Sequence, residues 1–158
     1  MIGRYNKKID RNSLLYVRLN ANRVNSICRV YSDTGNLYSF LCAYLDNGET
    51  VRLTDGSVDF LDEQDGINAF FNDPEVDADF KKKFVSISQD FVVNIDNFSS
   101  VISQPCGFSR SNEVIVVRFK RGMAQRVRAV YQRDTKKTIR EIQKIIMDAR
   151  NSSQESVK

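Results

Sequence analysis

The chain contains no histidine. That removes the Ser-His-Asp and Cys-His arrangements and most zinc sites, because the base or ligand they need is missing. Cys28, Cys42 and Cys106 are odd in number and show no Cys-x-x-Cys spacing. They offer neither a structural zinc nor a disulfide framework, and they fit buried thiols in a reducing cytoplasm. The seven glycines stand singly at turns, so no Gly-x-x-x-x-Gly-Lys loop exists to cradle a phosphate. No apolar run is long enough to span a bilayer. The opening Met1 to Lys8 has charge with no apolar stretch behind it, so no secretory leader is expected. Asp55, Asp59, Asp62, Glu63 and Asp65 lack the alternating order of a calcium loop. They read instead as the solvated, acidic start of a helix. The expectation is a non-enzyme without cofactor, metal, membrane contact or small-molecule substrate. Carboxylate-only nuclease chemistry is the one enzymatic route the composition leaves open.

What the chain does contain is a repeat. Gly48 and Gly122 stand 74 residues apart, each after a strand-like run, Tyr38 to Asn47 and Asn112 to Arg121. The same offset carries Leu19-Asn20 onto Val93-Asn94, Val24 onto Phe98, Ser26 onto Ser100 and Ile27 onto Val101. With one extra residue, Ile67, Phe70 and Phe71 fall on Ile142, Ile145 and Ile146. A repeat constrains architecture before any local reading does. In the first copy, strands are expected at 16–19, 24–31, 37–45 and 49–53, with a helix from Phe60 to Phe71. In the second they are expected at 84–87, 91–95, 98–103, 113–120 and 124–131. A helix opening at Asp134 or Thr135 follows, striped by Ile139, Ile142, Ile146 and Ala149. The implied fold is α+β: two tandem ββββα repeats whose antiparallel sheets pack with two helices. The expected division is a flexible 1–12, a first repeat 13–73, a linker 74–83, a second repeat 84–150 and a disordered tail 151–158. One such unit has a thin core, so the two are expected to intertwine into one domain.

Charge is unevenly shared. The net +4 combines −2 over residues 1–74 with +6 over residues 75–158. Alternation along 113–120 turns Ile115, Val117 and Phe119 to one face and Arg118 and Lys120 to the other. A three-residue turn with Gly122 left-handed would set Lys120 opposite Ala124, Arg118 opposite Arg126 and Val116 opposite Arg128. That register sends Val127, Ala129 and Tyr131 inward. It gathers Arg118, Lys120, Arg126 and Arg128 on an open face, with Arg121 at the turn. The corresponding register in the first copy turns Tyr38, Phe40, Tyr44 and Arg52 outward, unless the other repeat or a second subunit covers them. Cations that follow phosphates beside rings that stack on unpaired bases suit single-stranded nucleic acid. Lys81, Lys82, Lys83, Lys136 and Arg140 form a secondary basic set, with Lys144 on the same helical face as Lys136 and Arg140. A protein-interaction adaptor or viral structural module, with a pleckstrin-homology-like or LytTR-like second copy, is the alternative reading.

The element order, with Arg23 to Tyr31, Gly35, Tyr38 to Leu45 and Gly56 to Phe71, resembles the Pur-alpha and Whirly group of single-stranded nucleic-acid-binding proteins. The resemblance spans residues ~14–149 as topology rather than as a residue signature. The short, histidine-free chain is also similar to RNA-binding proteins of nucleus-forming bacteriophages. These resemblances imply sheet faces that bind single-stranded RNA or DNA, RNA favoured, with little sequence specificity, in a dimer or higher homo-oligomer. Tyr44, Arg52, Arg118, Lys120, Arg126 and Arg128 would occupy that face.

Overall fold

The computed structural model describes residues 20–31, 39–52, 78–88, 90–107 and 109–155. The expected strand at 16–19, Tyr38, the acidic run from Asp55 and the helix from Phe60 to Phe71 lie outside the described residues. The described elements are β1 (Val24–Tyr31), β2 (Ser39–Leu45), β3 (Thr50–Arg52), α1 (Ala78–Lys81), β4 (Phe84–Ser88), β5 (Phe91–Asn94), β6 (Phe98–Pro105), β7 (Asn112–Phe119), β8 (Gln125–Tyr131) and α2 (Thr135–Glu155). The architecture is α+β, with two antiparallel sheets and, among the described residues, a single long helix at the C-terminal end. One sheet has the order β3-β2-β1-β5-β4 and the other β6-β7-β8. None of the described helices is long and apolar enough to cross a membrane.

The second copy is therefore divided between the sheets. Its β4–β5 hairpin joins the first copy through β1, with Ser26 opposite Val93, Ile27 opposite Val92 and Cys28 opposite Phe91. Sequential strands usually pair with each other. Here β5 pairs outward because Phe91, Val92 and Val93 are apolar on both faces and need a central position, which β1 supplies.

The 74-residue offset survives as geometry. Gly48 and Gly122 both hold a left-handed backbone, at φ 89° and 88°. The β1–β2 ladder slips between Val24 and Ser26, and the β6–β7 ladder between Phe98 and Ser100. Asp46 N–H donates to Arg23 O at 2.8 Å, and Lys120 N–H to Asn97 O at 2.9 Å. The side chains of Asn20 and Asn94 each accept from the backbone N–H two residues on, at 3.0 and 2.9 Å.

One pair of equivalent carbonyls shows how two similar units stay distinct. Asn94 Nδ2 donates to Ala21 O and Val24 O, at 3.0 and 2.9 Å. The matching carbonyls in the second copy, Ile95 O and Phe98 O, receive Arg150 Nε and Nη2 instead, at 2.9 and 3.0 Å. Arg150 also lies over the Phe98 ring, 5.6 Å from its centroid. A buried carbonyl left without a donor costs about 1–3 kcal/mol, so this arginine anchors α2. The helix accordingly runs on to Glu155, into the segment expected to be tail.

The core lies between the sheets and under α2. Ile142 and Ile146, 2% and 1% exposed, pack with Val101, Ile115, Val117 and Phe119 of the second sheet and with Cys28, Phe91 and Val93 of the first. Each such side chain contributes roughly 1.5–3 kcal/mol by leaving water. Helix α2 therefore covers the face of the β6-β7-β8 sheet that carries Ile115, Val117 and Phe119.

Candidate nucleic-acid interface

The β7–β8 hairpin carries the basic residues, and its register differs from expectation. Val117 pairs with Gln125 and Val116 with Arg126. The ladder then slips, so that Ile115 pairs with Arg128, Val114 with Ala129 and Asn112 with Tyr131. Val127 is the extra residue of a β-bulge. Two physical demands produce this arrangement. The tip is held away from the ladder, because Asn25 Nδ2 donates to Arg121 O at 2.7 Å and Gly122 sits against Asn25 and Asp46. Within β8, the bulge lets both Val127 and Val130 reach the core.

The bulge changes which residues share the open face. Asn112, Val114, Val116 and Arg118 alternate along β7, and their row takes in Arg126 and Tyr131 of β8. Tyr131, expected inward, is 58% exposed, and Arg133 lies over its ring at 5.1 Å. Ala129 is exposed as well, and Val130 replaces it inward. Arg128 falls on the other row, opposite Ile115, and remains exposed because β8 is an edge strand among the described residues. The stripe is thus Lys120, Arg118, Arg126 and Tyr131, with Arg121 at the tip and Arg128 at the strand's edge. Staggering keeps Arg118 and Arg126 from lying directly opposite, a placement that destabilises like charges. Val116, beneath them, is 2% exposed between Ile102 and Arg126.

Arg118, Lys120, Arg121, Arg126 and Arg128 are all exposed and make no ion pair among the described residues. Several other cations are engaged. Arg23 pairs with Asp46 at 3.4 Å, and Arg29 with Asp90 at 3.7 Å. Lys82 meets Asp79 at 3.9 Å, Lys83 meets Asp96 at 3.6 Å, and Lys81 is engaged too. Lys82 and Lys83 therefore belong to ion pairs of their own rather than to the stripe. Lys136, Arg140 and Lys144 are exposed on α2, and Arg140 Nε donates to Lys136 O at 3.3 Å. Since α2 packs on the opposite face of the sheet, these groups are not continuous with Arg118 and Arg126.

In the first copy, the expected outward placement of Tyr44 is corrected. Tyr44, equivalent to Arg118 by the repeat, is half-buried and packs against the core. The face carrying Cys28 is partly covered, because residues of the second sheet and α2 join Cys28 in the core. Arg52 ends β3 opposite Cys42, well apart in topology from the β7–β8 stripe. The aromatic member of the exposed face is Tyr131 rather than Tyr44. Strict alternation concealed it, since a single bulge inverts every residue beyond.

Beside β8 lies a cavity of about 600 Å³ between the sheets, walled by Gln125, Arg126 and Val127 on one side and by Cys28, Tyr44, Asp90 and Phe91 on the other. The Ser26 hydroxyl donates to Oε1 of Gln125, one of the residues that line it. Burial pushes the Cys28 thiol up to about 12, with Cys42 and Asp90 adding to the rise and the Ser26 hydrogen bond opposing it. Burial also raises Tyr44 above its ordinary 10.0. Both shifts keep the neutral form in the fold, so their stabilisation is complete below pH 9.0, the thiol's ordinary value, and declines as pH rises toward 12. The melting temperature is expected to fall between pH 9 and 11. Cys28→Val should remove a part of that fall worth at most about 1.4 kcal/mol per pH unit. A thermal melt series of both proteins measures it, and parallel curves would refute the assignment.

No protein-family model, curated protein or solved structure matches this chain.

Proposed function

We propose that the protein binds single-stranded nucleic acid, RNA ahead of DNA, along the open face of the β6-β7-β8 sheet, without catalysis. The observation that supports this is the clustering on one hairpin of five exposed cations that make no ion pair among the described residues, whereas Arg23, Arg29, Lys82 and Lys83 each have a carboxylate partner. Uncompensated like charges on one hairpin raise the energy of the free protein and lower it when an anion arrives. A polyphosphate strand supplies several anions at once and releases counterions when it binds. Tyr131 offers a ring for a base to stack on, worth about 1–3 kcal/mol. The finer architecture proposed with it is the ββββα repeat written twice, consistent with the equivalent turns, bulges and capping asparagines of the two copies.

Fluorescence anisotropy with a labelled single strand and the matching duplex, at two salt concentrations, tests the reading. Four phosphate contacts would give a slope of log affinity on log salt of about −3 for the single strand. The duplex, whose bases are already stacked, is expected to bind more weakly. Absence of salt-sensitive binding at micromolar protein would remove the proposal. Magnesium-dependent loss of the probe would overturn the non-catalytic assignment.

A further inference from the structure

The cavity beside β8 is not needed to hold a phosphate backbone, and its lining is of a different kind from the stripe. Tyr44 and Phe91 give it flat apolar walls, Val30 and Val127 narrow it, and Gln125, Ser88 and Asp90 supply polar atoms. At about 600 Å³ it falls within the range of small-ligand sites. Arg126 belongs both to the cavity wall and to the basic stripe. Arg128, moved off the stripe by the bulge, stands next along the same edge.

From this we infer that the cavity is a base pocket, taking one unstacked nucleobase of a strand whose phosphates lie on Arg126 and Arg128. The inference rests on the proposed function and adds to it a defined subsite. The character of the wall selects the ligand class. Arg29 and Asp90 lie 3.7 Å apart and offset each other, so the inner wall is close to neutral and the phosphate contact falls to Arg126, which the wall shares with the stripe. A neutral, planar group with hydrogen-bonding edges suits that wall, and a ring stacks on Tyr44 or Phe91 without charge. The chain path is short, because β8 is an edge strand among the described residues and its Arg126 belongs to both the stripe and the cavity wall. A strand crossing that edge turns a base inward where its phosphates meet Arg126.

The test compares two labelled single strands of equal length and charge. One carries all its bases, and the other carries abasic spacers throughout. The intact strand is expected to bind roughly tenfold more tightly, with the same salt slope. Tyr44→Leu keeps an apolar filler but loses the flat ring. It should lower affinity for the base-bearing strand toward the abasic level and leave the abasic strand unaffected. Equal binding of the two strands by the wild-type protein overturns the pocket, while a persisting salt slope leaves the phosphate stripe standing. A base effect undiminished by Tyr44→Leu in a folded variant also overturns it, since stacking then lies elsewhere, with Tyr131 the first position to test. If neither strand binds, the proposed function itself falls. Should Tyr44→Leu not fold, Tyr131→Leu decides: the base effect is expected to persist in it, and its loss there would place the stacking on the open face and overturn the pocket.

Discussion

Replacing Arg118 and Arg126 together by glutamate is expected to weaken single-strand binding about a hundredfold at moderate salt, with the fold intact. Both side chains are exposed, neither makes an ion pair among the described residues, and they share the open row of the β7–β8 hairpin. Nothing internal is lost when they change. Each reversal turns one attraction to phosphate into one repulsion. At contact distance in water-like surroundings a single unit-charge pair is worth about 1 kcal/mol. Two reversals therefore amount to about 3–4 kcal/mol before salt screening, and a hundredfold corresponds to about 2.7 kcal/mol. Arg118→Gln alone should flatten the salt slope by about 0.7. The control is Lys136→Glu with Arg140→Glu. Those residues are equally exposed but sit on α2, on the opposite side of the sheet, so the loss should stay below about threefold. Equal losses from both pairs would show that net charge alone governs binding and that the stripe has no positional meaning. Circular dichroism and melting temperature of each variant establish that the fold is retained.

The strands were legible because their cues are local. Val24 to Tyr31 and Glu113 to Phe119 alternate or run apolar between turn residues, and Asn47-Gly48 and Arg121-Gly122 mark reversals that only left-handed backbone can make. Which strand pairs with which was not legible. Phe91-Val92-Val93 reads simply as buried strand, and its placement on β1 depends on contacts some 65 residues distant in the chain. The candidate site divides along the same line. Arg118, Lys120 and Arg121 could be placed from β7 alone. Arg128 and Tyr131 depend on one inserted residue, Val127, and exchange faces because of it. Tyr44 and Arg118 occupy equivalent places in the two copies, yet one is packed and the other open. The packing of the two sheets on each other, which no local pattern reports, makes that difference. Cys28 and Cys42 are a further instance: distant in sequence, they stand directly opposite on β1 and β2.

The pair of left-handed glycines separates the cost of a turn from the cost of docking. Gly48→Ala and Gly122→Ala impose the same backbone penalty, since φ is 89° at one and 88° at the other. For a residue with a Cβ, that conformation costs about 1–2 kcal/mol. At Gly48 a new Cβ meets nothing within 4 Å, so the penalty stops there. At Gly122 it would lie 2.8 Å from Asn25 Nδ2, 3.1 Å from Asp46 O and 3.2 Å from Asp46 Cα. Two of those atoms are backbone and cannot swing aside. The third belongs to Asn25, which is 1% exposed, donates to Arg121 O at 2.7 Å and accepts from Asn97 Nδ2 at 3.1 Å. Relieving the contact therefore breaks the network that joins the hairpin tip to the first sheet, adding about 1–3 kcal/mol. Gly122→Ala is expected to lose about 3–4 kcal/mol in denaturant unfolding and Gly48→Ala about 1–2 kcal/mol. Because the tip positions Lys120 and Arg121 and anchors the register that sets out Arg118 and Arg126, Gly122→Ala should also weaken single-strand binding, and Gly48→Ala should not. Equal destabilisation by the two substitutions would mean that the tip is not seated on Asn25 and Asp46. The basic stripe would then lack the rigid support that lets it present its charges in a fixed row.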